Sequence, residues 1–308
     1  MRKRVSLERI GEFGFIERLK KKIKRGPGVS VGIGDDAAVL RVDTRKDILF
    51  TTDMIIEGRH FRLNEARPYK IGWKAMAVNI SDIAAMGGRP TFAVVSVGLP
   101  AGLGLRFVDE LNRGLREAAA RFGAAIVGGD TNRSDKLTLA VAVLGEVARG
   151  RALTRSGAKP GDIVFVTGSL GGSYRSGKHL NFIPRVQESQ YLTGHFKVHS
   201  MIDVSDGLAS DLRRLSEESG VGFVIAADAV PLSRHAKNLT QALTEGEDFE
   251  LLFTLSLKEA AHLTSSVIPR GLARFHPIGK VVPKRYGICI EHNGKLRPLA
   301  EKGFDHFK

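Results

Sequence analysis

Cysteine is almost missing from this chain of 308 residues, which has Cys289 alone. A single thiol excludes an intramolecular disulfide and a cysteine-based zinc cage, and it fits a reducing compartment, the cytoplasm. Its surroundings, GICIEH, read as strand, so Cys289 is expected to be a small core residue. Long hydrophobic runs are also absent. Nothing approaches the roughly 20 apolar residues of a membrane helix, and no membrane partner is expected. Acidic residues are outnumbered, 33 against 47 Lys and Arg, giving a net charge of +14. Such an excess is compatible with polyanionic ligands, nucleic acid or a solubility habit. Because aromatic–basic interleaving and nucleic-acid motifs are missing, nucleic acid is not expected as a partner.

With 43% hydrophobic and 26% charged residues, the composition is that of a globular chain of one large or two ordinary domains. Ten of the first 25 residues are Lys or Arg, but no apolar h-region follows, so no export signal is read there. Phe13, Ile16, Leu19 and Ile23 recur at helical spacing and predict a solvated amphipathic helix.

The most informative stretch is Val31–Leu40, VGIGDDAAVL, followed by Thr51, Thr52 and Asp53. Apolar flanks predict strands, and Gly32 and Gly34 allow unusual backbone conformations. Adjacent carboxylates at Asp35 and Asp36 repel unless solvent or a cation intervenes. Two readings are open, a polar hairpin turn or half of a metal site. A dinucleotide fingerprint, imitated by Gly32-x-Gly34-x-x-Ala37, would set both acids against a pyrophosphate.

Asp47–Ile56 predicts a strand, and Lys70–Met86 a helix apolar nearly all round, stopped by Gly87, Gly88 and Pro90. Asn79 and Asp82 share one face of that helix, and an unpaired carboxylate there would cost several kcal/mol or so. Thr91–Leu99 reads as strand, Gly104–Phe122 as helix, Ala124–Val127 as strand running into Gly128, Gly129 and Asp130, and Leu137–Val147 as strand. The order predicts an α+β layer, a largely antiparallel sheet with helices on one face. Gly, Pro and charge accumulate at Arg149–Asp162, which marks the boundary between domains 1–148 and 149–308.

Beyond it, Ile163–Thr167 is a strand entering GSLGGSYRSGKH. Gly172-x4-Gly177-Lys178 resembles a phosphate-binding loop, but His179 stands where Ser or Thr is needed, and Pro184 would cut the following helix. A flexible Gly/Ser loop is expected instead. In Met201–Gly207, MIDVSDG, Asp203 ends a strand and Ser205 or Asp206 is expected to cap the next helix. Glu247, Asp248 and Glu250 crowd the start of the strand Leu251–Leu255, as in a solvated turn.

Taken together, Asp36, Asp53, Asp82, Asp130, Asp203 and Asp206 lie at apolar strand ends or on a buried helix. Convergence on hard cations accounts for them collectively. Oxygen-only ligation suits Mg²⁺, while the lack of cysteine clusters or paired histidines argues against zinc.

The motifs VGIGDDAAVL, TTDMIIEGRHF, KAMAVNISDIAAMG, GGDT, GRALTRSGAKPGD, IDVSDGLASDL, GEDFELLF and KGFDHF occur in one order along nearly the whole chain. In this the sequence resembles the thiamine-monophosphate kinases of the aminoimidazole-ribonucleotide-synthetase-like superfamily. The resemblance implies that superfamily's two-domain fold, with an N-terminal ATP/Mg-binding and dimerisation domain and a C-terminal α/β domain that completes the active site. It implies transfer of the ATP γ-phosphoryl group to thiamine monophosphate, giving thiamine diphosphate as the last step of its biosynthesis, by a homodimer whose N-terminal sheets pair. By motif position, Asp36, Thr51, Thr52, Asp53, Asp82, Asp130, Asp203 and Asp206 would hold several Mg²⁺ ions. Gly129, Asp130, Arg155 and Ser205 would meet ATP, and His60, Glu247 and Phe304 the thiamine substrate. The acceptor is a phosphate monoester with a second pKa of about 6, so no general base, and hence no catalytic residue of that kind, is expected.

Two departures stand out. The segment from Gly168 to Leu180 is shorter than the family's, and Asn181-Phe182-Ile183-Pro184-Arg185 keeps only the second half of its Arg-Pro-x-Pro-Arg. The alternatives to be weighed are another ATP-dependent synthetase of the superfamily, such as a selenophosphate or aminoimidazole-ribonucleotide synthetase, and a basic nucleic-acid-binding protein. The selenophosphate version usually carries a reactive Cys or selenocysteine near its N-terminus, and the only cysteine here is Cys289.

Overall fold

Alternation along two long strands builds the first sheet. Residues Leu49 and Ile55 of β3 (Lys46–Ile56) and Leu139, Val141 and Val143 of β6 (Thr138–Ala148) are buried, and their sequence neighbours turn to the other side. With β1 (Val29–Val31), β2 (Ala38–Leu40), β4 (Arg89–Leu99) and β5 (Ala125–Arg133) they form a six-stranded sheet in the order β1-β2-β3-β6-β4-β5. Every pairing is antiparallel except β4 with β5. In this computed structural model the described residues are 28–299 apart from 33, together with Glu17. The expected helix through Phe13 and Ile23, and the ending with Phe304, lie outside them.

Two helices cover the inner face of this sheet. Helix α1 (Pro68–Ala85) starts on a proline, suited to a first turn whose N–H groups have no helical partner, and is buried along nearly its whole length. Helix α2 (Leu105–Arg121) buries one stripe, Leu111, Gly114, Leu115, Ala118 and Ala119. The two helices touch through glycine. A Cβ on Gly72 would fall 2.0 Å from the Leu111 carbonyl oxygen, and one on Gly114 1.9 Å from that of Tyr69. The outer face of the sheet has no such cover, and Phe50, Met54, Phe92, Val94 and Val127 are exposed there among the described residues.

The second half carries seven strands, β7 (Ile163–Thr167), β8 (Val198–Asp203), β9 (Val221–Ala226), β10 (Leu251–Leu255), β11 (Phe275–Pro283), β12 (Ile288–His292) and β13 (Lys295–Pro298). Their order is β13-β12-β9-β11-β7-β10-β8, with only β12 and β9 parallel. Between them run α3 (Ser173–Ser176), α4 (Val186–His195), α5 (Leu208–Ser219), α6 (Leu239–Thr244) and α7 (Leu257–Ser265). Leu208, Leu212 and Leu215 of α5 pack with Val164, Val166, Ile202 and Phe223 on one side of the sheet. Phe165, Met201 and Phe253 on the other side join Leu192 of α4 and Leu263 of α7, as well as Ala85 at the end of α1. Cys289 is buried, as its strand context predicts.

Local differences from the sequence reading have physical causes. The Gly172–Lys178 segment is no flexible loop, because α3 forms there and the carboxylates of Asp248 and Glu245 accept the Gly171 and Gly172 N–H groups at 2.8 and 2.7 Å. Lys178 is turned to Glu250 at 2.8 Å, which leaves its ammonium committed to a protein carboxylate rather than free for a phosphate. Neither Ser205 nor Asp206 caps α5; Gly207, at φ 99°, takes that position. The acids before β10 are not a solvated turn either, since Asp248 and Glu250 are each 1% exposed.

Candidate active site

The loop between β1 and β2 carries Asp35 and Asp36 toward the junction of the two halves. Helix α1 brings Asp82 to the same point from the N-terminal half, and the last residue of β8, Asp203, comes from the C-terminal half. Asp36, Asp82 and Asp203 each offer a carboxylate oxygen within 4.8 Å of the other two. Asp82 and Asp203 lie well above the usual carboxylate range, raised first by burial and then by the neighbouring acids, Asp53, Asp203 and Asp36 for Asp82 and Asp36 for Asp203. Thr51 Oγ1 donates to Asp82 Oδ2 at 2.6 Å, and Ser81 Oγ to Asp203 Oδ2 at 2.6 Å. Buried like charges this close call for a cation, and the all-oxygen donor set fits a hard one such as Mg²⁺.

Asp53 follows on β3, its backbone N–H donating to Asn79 Oδ1 at 2.9 Å. The Asn79 side chain also donates to Ala75 O at 3.1 Å, so this polar anomaly of α1 anchors the strand. Thr52 joins the cavity wall and donates its hydroxyl to Val141 O at 3.0 Å.

Arg155, in the segment between the sheets, spans both acids of the first loop. Its Nη2 donates to Asp36 Oδ1 at 2.9 Å and its backbone N–H to Asp35 Oδ1 at 2.9 Å. Asp35 is pushed up to about 7 by burial and by Asp36. Its contact explains a residue that motif reading leaves without a role, because Asp35 fixes the backbone from which Arg155 projects.

A cavity of about 660 Å³ contains these groups and continues along α1. Asp36, Thr51, Thr52, Asp53, Asp82, Arg155, Asp203, Ser205 and Asp206 line one part, and His60, Lys74, Tyr174 and Glu247 the rest. Asp206 is ion-paired with Arg214, which also donates to buried Asp211 at 2.8 Å. Glu247 and Phe249 take φ values of 67° and 49°, in the left-handed region that non-glycine residues adopt uncommonly. Phe249 stacks on Phe182, centroids 3.9 Å apart, and Arg185 donates to Glu250 at 2.6 Å. The altered Asn181–Arg185 segment is therefore built into the wall behind the cavity.

Gly129 and Asp130 do not line this cavity. They belong to β5, at the sheet edge, with β6 and β4 between it and β3. Asp130 pairs in register with Ser96 on the outer, exposed side and accepts from Asn132 at 2.5 Å. Gly129 has a packing reason of its own, since a Cβ would lie 1.9 Å from Val95 O. Sequence reasoning missed Lys74, Tyr174, Asp211 and Arg214. Only Lys74 had a readable signal, because Lys74, Val78 and Asp82 succeed one another at helical spacing on an otherwise apolar element.

Comparison with known proteins shows the family. The family of AIR synthase related proteins matches through its N-terminal domain over residues 34–147 and its C-terminal domain over 159–290. A thiamine-monophosphate kinase of Rhodopirellula baltica is 38% identical over 96% of this chain and 97% of its own length. That of Bacillus subtilis is 35% identical over 96% and 99%. Among solved structures, AaThiL complexed with AMPPCP and TMP superimposes with a TM-score of 0.85 at 30% identity, covering 98% of this chain and 99% of its own. Both halves and nearly the full length of its relatives are thus represented, and the chain belongs to the thiamine-monophosphate kinase family of AIR synthase related proteins.

Proposed function

We propose that this enzyme transfers the γ-phosphoryl group of ATP directly to the phosphate of thiamine monophosphate, producing thiamine diphosphate. The observation that carries the reading is the convergence of Asp36, Asp82 and Asp203 in one cavity that also reaches His60 and Glu247. Asp36, Asp53, Asp82, Asp203 and Asp206, with Thr51 and Thr52, would hold Mg²⁺. Bound there, the metal would neutralise phosphate oxygens and let two anions approach in line.

The chain's own groups have separable tasks. Arg155, raised above its ordinary value by Asp36 and Asp35 against the effect of burial, stays charged and meets nucleotide phosphate. Ser205 lines the same cavity. Glu247 supplies the negative charge that a thiazolium cation needs, His60 lines the same cavity, and Phe304 would add an aromatic face. An already ionised acceptor oxygen needs no side chain to remove a proton.

The uncovered outer face of the first sheet supports a homodimer, because Phe50, Met54, Phe92, Val94 and Val127 form an apolar surface suited to a second copy. The same pairing would carry Gly129 and Asp130 to a nucleotide, since neither lines the cavity of its own chain. The division into an N-terminal domain 1–148 and a C-terminal domain 149–308 follows the two sheets, and a cytoplasmic location follows the single cysteine. Among the described residues no helix is long and apolar enough to cross a membrane.

Purified protein given ATP, Mg²⁺ and thiamine monophosphate should release ADP and thiamine diphosphate, with thiamine a poor acceptor. Absence of the diphosphate product would overturn the assignment.

A further inference from the structure

Lys74 is fully buried on α1, and no role in phosphoryl transfer has been given to it. An ammonium in that position is costly unless it is paired, and burial pulls its pKa down while Glu247 opposes the shift. Two groups compensate it. Its Nζ is ion-paired with the Glu247 carboxylate and donates to the His60 carbonyl oxygen at 3.0 Å.

Those partners come from opposite halves of the chain. His60 follows β3, and its ring is fixed because the Ile56 N–H donates to Nδ1 at 3.0 Å. Glu247 precedes β10 in a left-handed conformation, its N–H donating to Ser205 O at 2.7 Å. Tyr174 also hydrogen-bonds to the Glu247 side chain. The carboxylate is therefore held on a backbone that its own residue type does not favour, by two donors from separate segments, Lys74 of α1 and Tyr174 of α3.

We propose that Lys74 is a positioning residue for the cationic half of the substrate. Anchored on the His60 carbonyl, its ammonium holds the Glu247 carboxylate in one orientation, so that the carboxylate meets the thiazolium without reorganising. The proposal rests on the thiamine-phosphate kinase reading. A salt bridge that merely ties the two halves together would affect folding and both substrates alike. A positioning role affects one substrate, and it acts through Glu247.

The test is a double-mutant cycle of Lys74→Met and Glu247→Gln in the full chain, with KM read separately for the two substrates. Loss of one charged hydrogen bond predicts that Lys74→Met raises KM for thiamine monophosphate about tenfold, with KM for ATP nearly unchanged. In the Glu247→Gln background the same substitution should add less than about twofold, because its target is already gone. Equal increases in both KM values, or full additivity, would overturn the proposal. Should Lys74→Met fail to fold alone, the double variant replaces both charges with neutral side chains of similar length, and comparison with Glu247→Gln decides. Equal KM for thiamine monophosphate supports positioning, and a further tenfold rise contradicts it. Wild-type protein that turns over no thiamine monophosphate would overturn the kinase reading and this proposal together. Turnover by the wild type with an unaltered KM in Lys74→Met overturns this proposal only.

Discussion

Arg155 grips Asp36 at two points, Nη2 to Oδ1 at 2.9 Å and Nε to Oδ2 at 3.3 Å, and so fastens the segment between the sheets to the loop between β1 and β2. A lysine can reach one of those oxygens but cannot present a planar pair of donors. Arg155→Lys is expected to lower kcat/KM for ATP at least about tenfold while the chain stays folded. Steady-state kinetics with ATP varied provides the check, and an unchanged value would remove Arg155 from the nucleotide site.

Asp82 is where charge and stability oppose each other. Its carboxylate is buried beside Asp53, Asp203 and Asp36. Asp82→Asn keeps an acceptor for Thr51 and removes one of the repelling charges. Without added metal, the variant should melt at the same temperature or about 2–4 °C higher. Its turnover with Mg²⁺ should fall at least about 100-fold, and the wild type's Mg²⁺-induced rise in melting temperature should vanish. A lower melting temperature in the absence of metal would mean that the carboxylate serves the fold.

Glu250 presents the reverse case. Burial alone would raise its pKa, but Lys178 and Arg185 hold it below its ordinary value. Glu250→Gln leaves two cations facing a neutral amide in the interior. Urea unfolding should register a loss of roughly 3–5 kcal/mol, the cost of breaking a buried ionic group on one side.

Asp248 titrates within reach of mild acid. Burial pushes it from 3.8 to about 6, against the opposing pull of Lys178 and the Gly171 N–H. The folded chain thus keeps a proton that the unfolded chain has lost between those values, so this group's contribution to stability falls as pH rises from about 4 to 6. A shift of this size corresponds to roughly 3 kcal/mol. Asp248→Asn should flatten that part of the stability curve, measured by denaturant unfolding at a series of pH values. An identical slope in the variant would assign the titration elsewhere.

Phe92 projects from the outer face of β4 and is 49% exposed. If two copies meet there, Phe92→Asp places a charge in an apolar interface. Sedimentation should then show a monomer where the wild type sediments as a dimer, and activity should fall with it. A wild-type monomer at micromolar concentration would remove the pairing.

The sequence made some of this architecture readable for local reasons. Carboxylates at the ends of apolar segments or on a buried helix stand out at Asp36, Asp53, Asp82, Asp130, Asp203 and Asp206, and all but Asp130 line the cavity. The strand and helix order of the first half was equally visible, since alternation and helical spacing are properties of neighbouring residues. What escaped depended on distant partners. Asp248 and Glu250 resembled a solvated turn because Ser173, Lys178 and Arg185, which compensate their burial, lie more than 60 positions away. The cap of α5 was assigned to Ser205 or Asp206 by composition, yet Asp206 is drawn to Arg214 instead, a pairing that exists only once the helix has formed.

Helix α1 has a metric consequence. Lys74 and Asp82 stand eight residues apart on it, which at 1.5 Å per residue separates their backbones by about 12 Å. One belongs to the part of the cavity read as holding the vitamin's cation, the other to the part where phosphates would meet. The spacing between recognition and reaction is therefore a property of a single rigid rod, and the glycine contacts at Gly72 and Gly114 keep that rod from sliding. An acceptor with a longer or shorter bridge between its cation and its phosphate would be out of register with this ruler, however well either end fitted by itself.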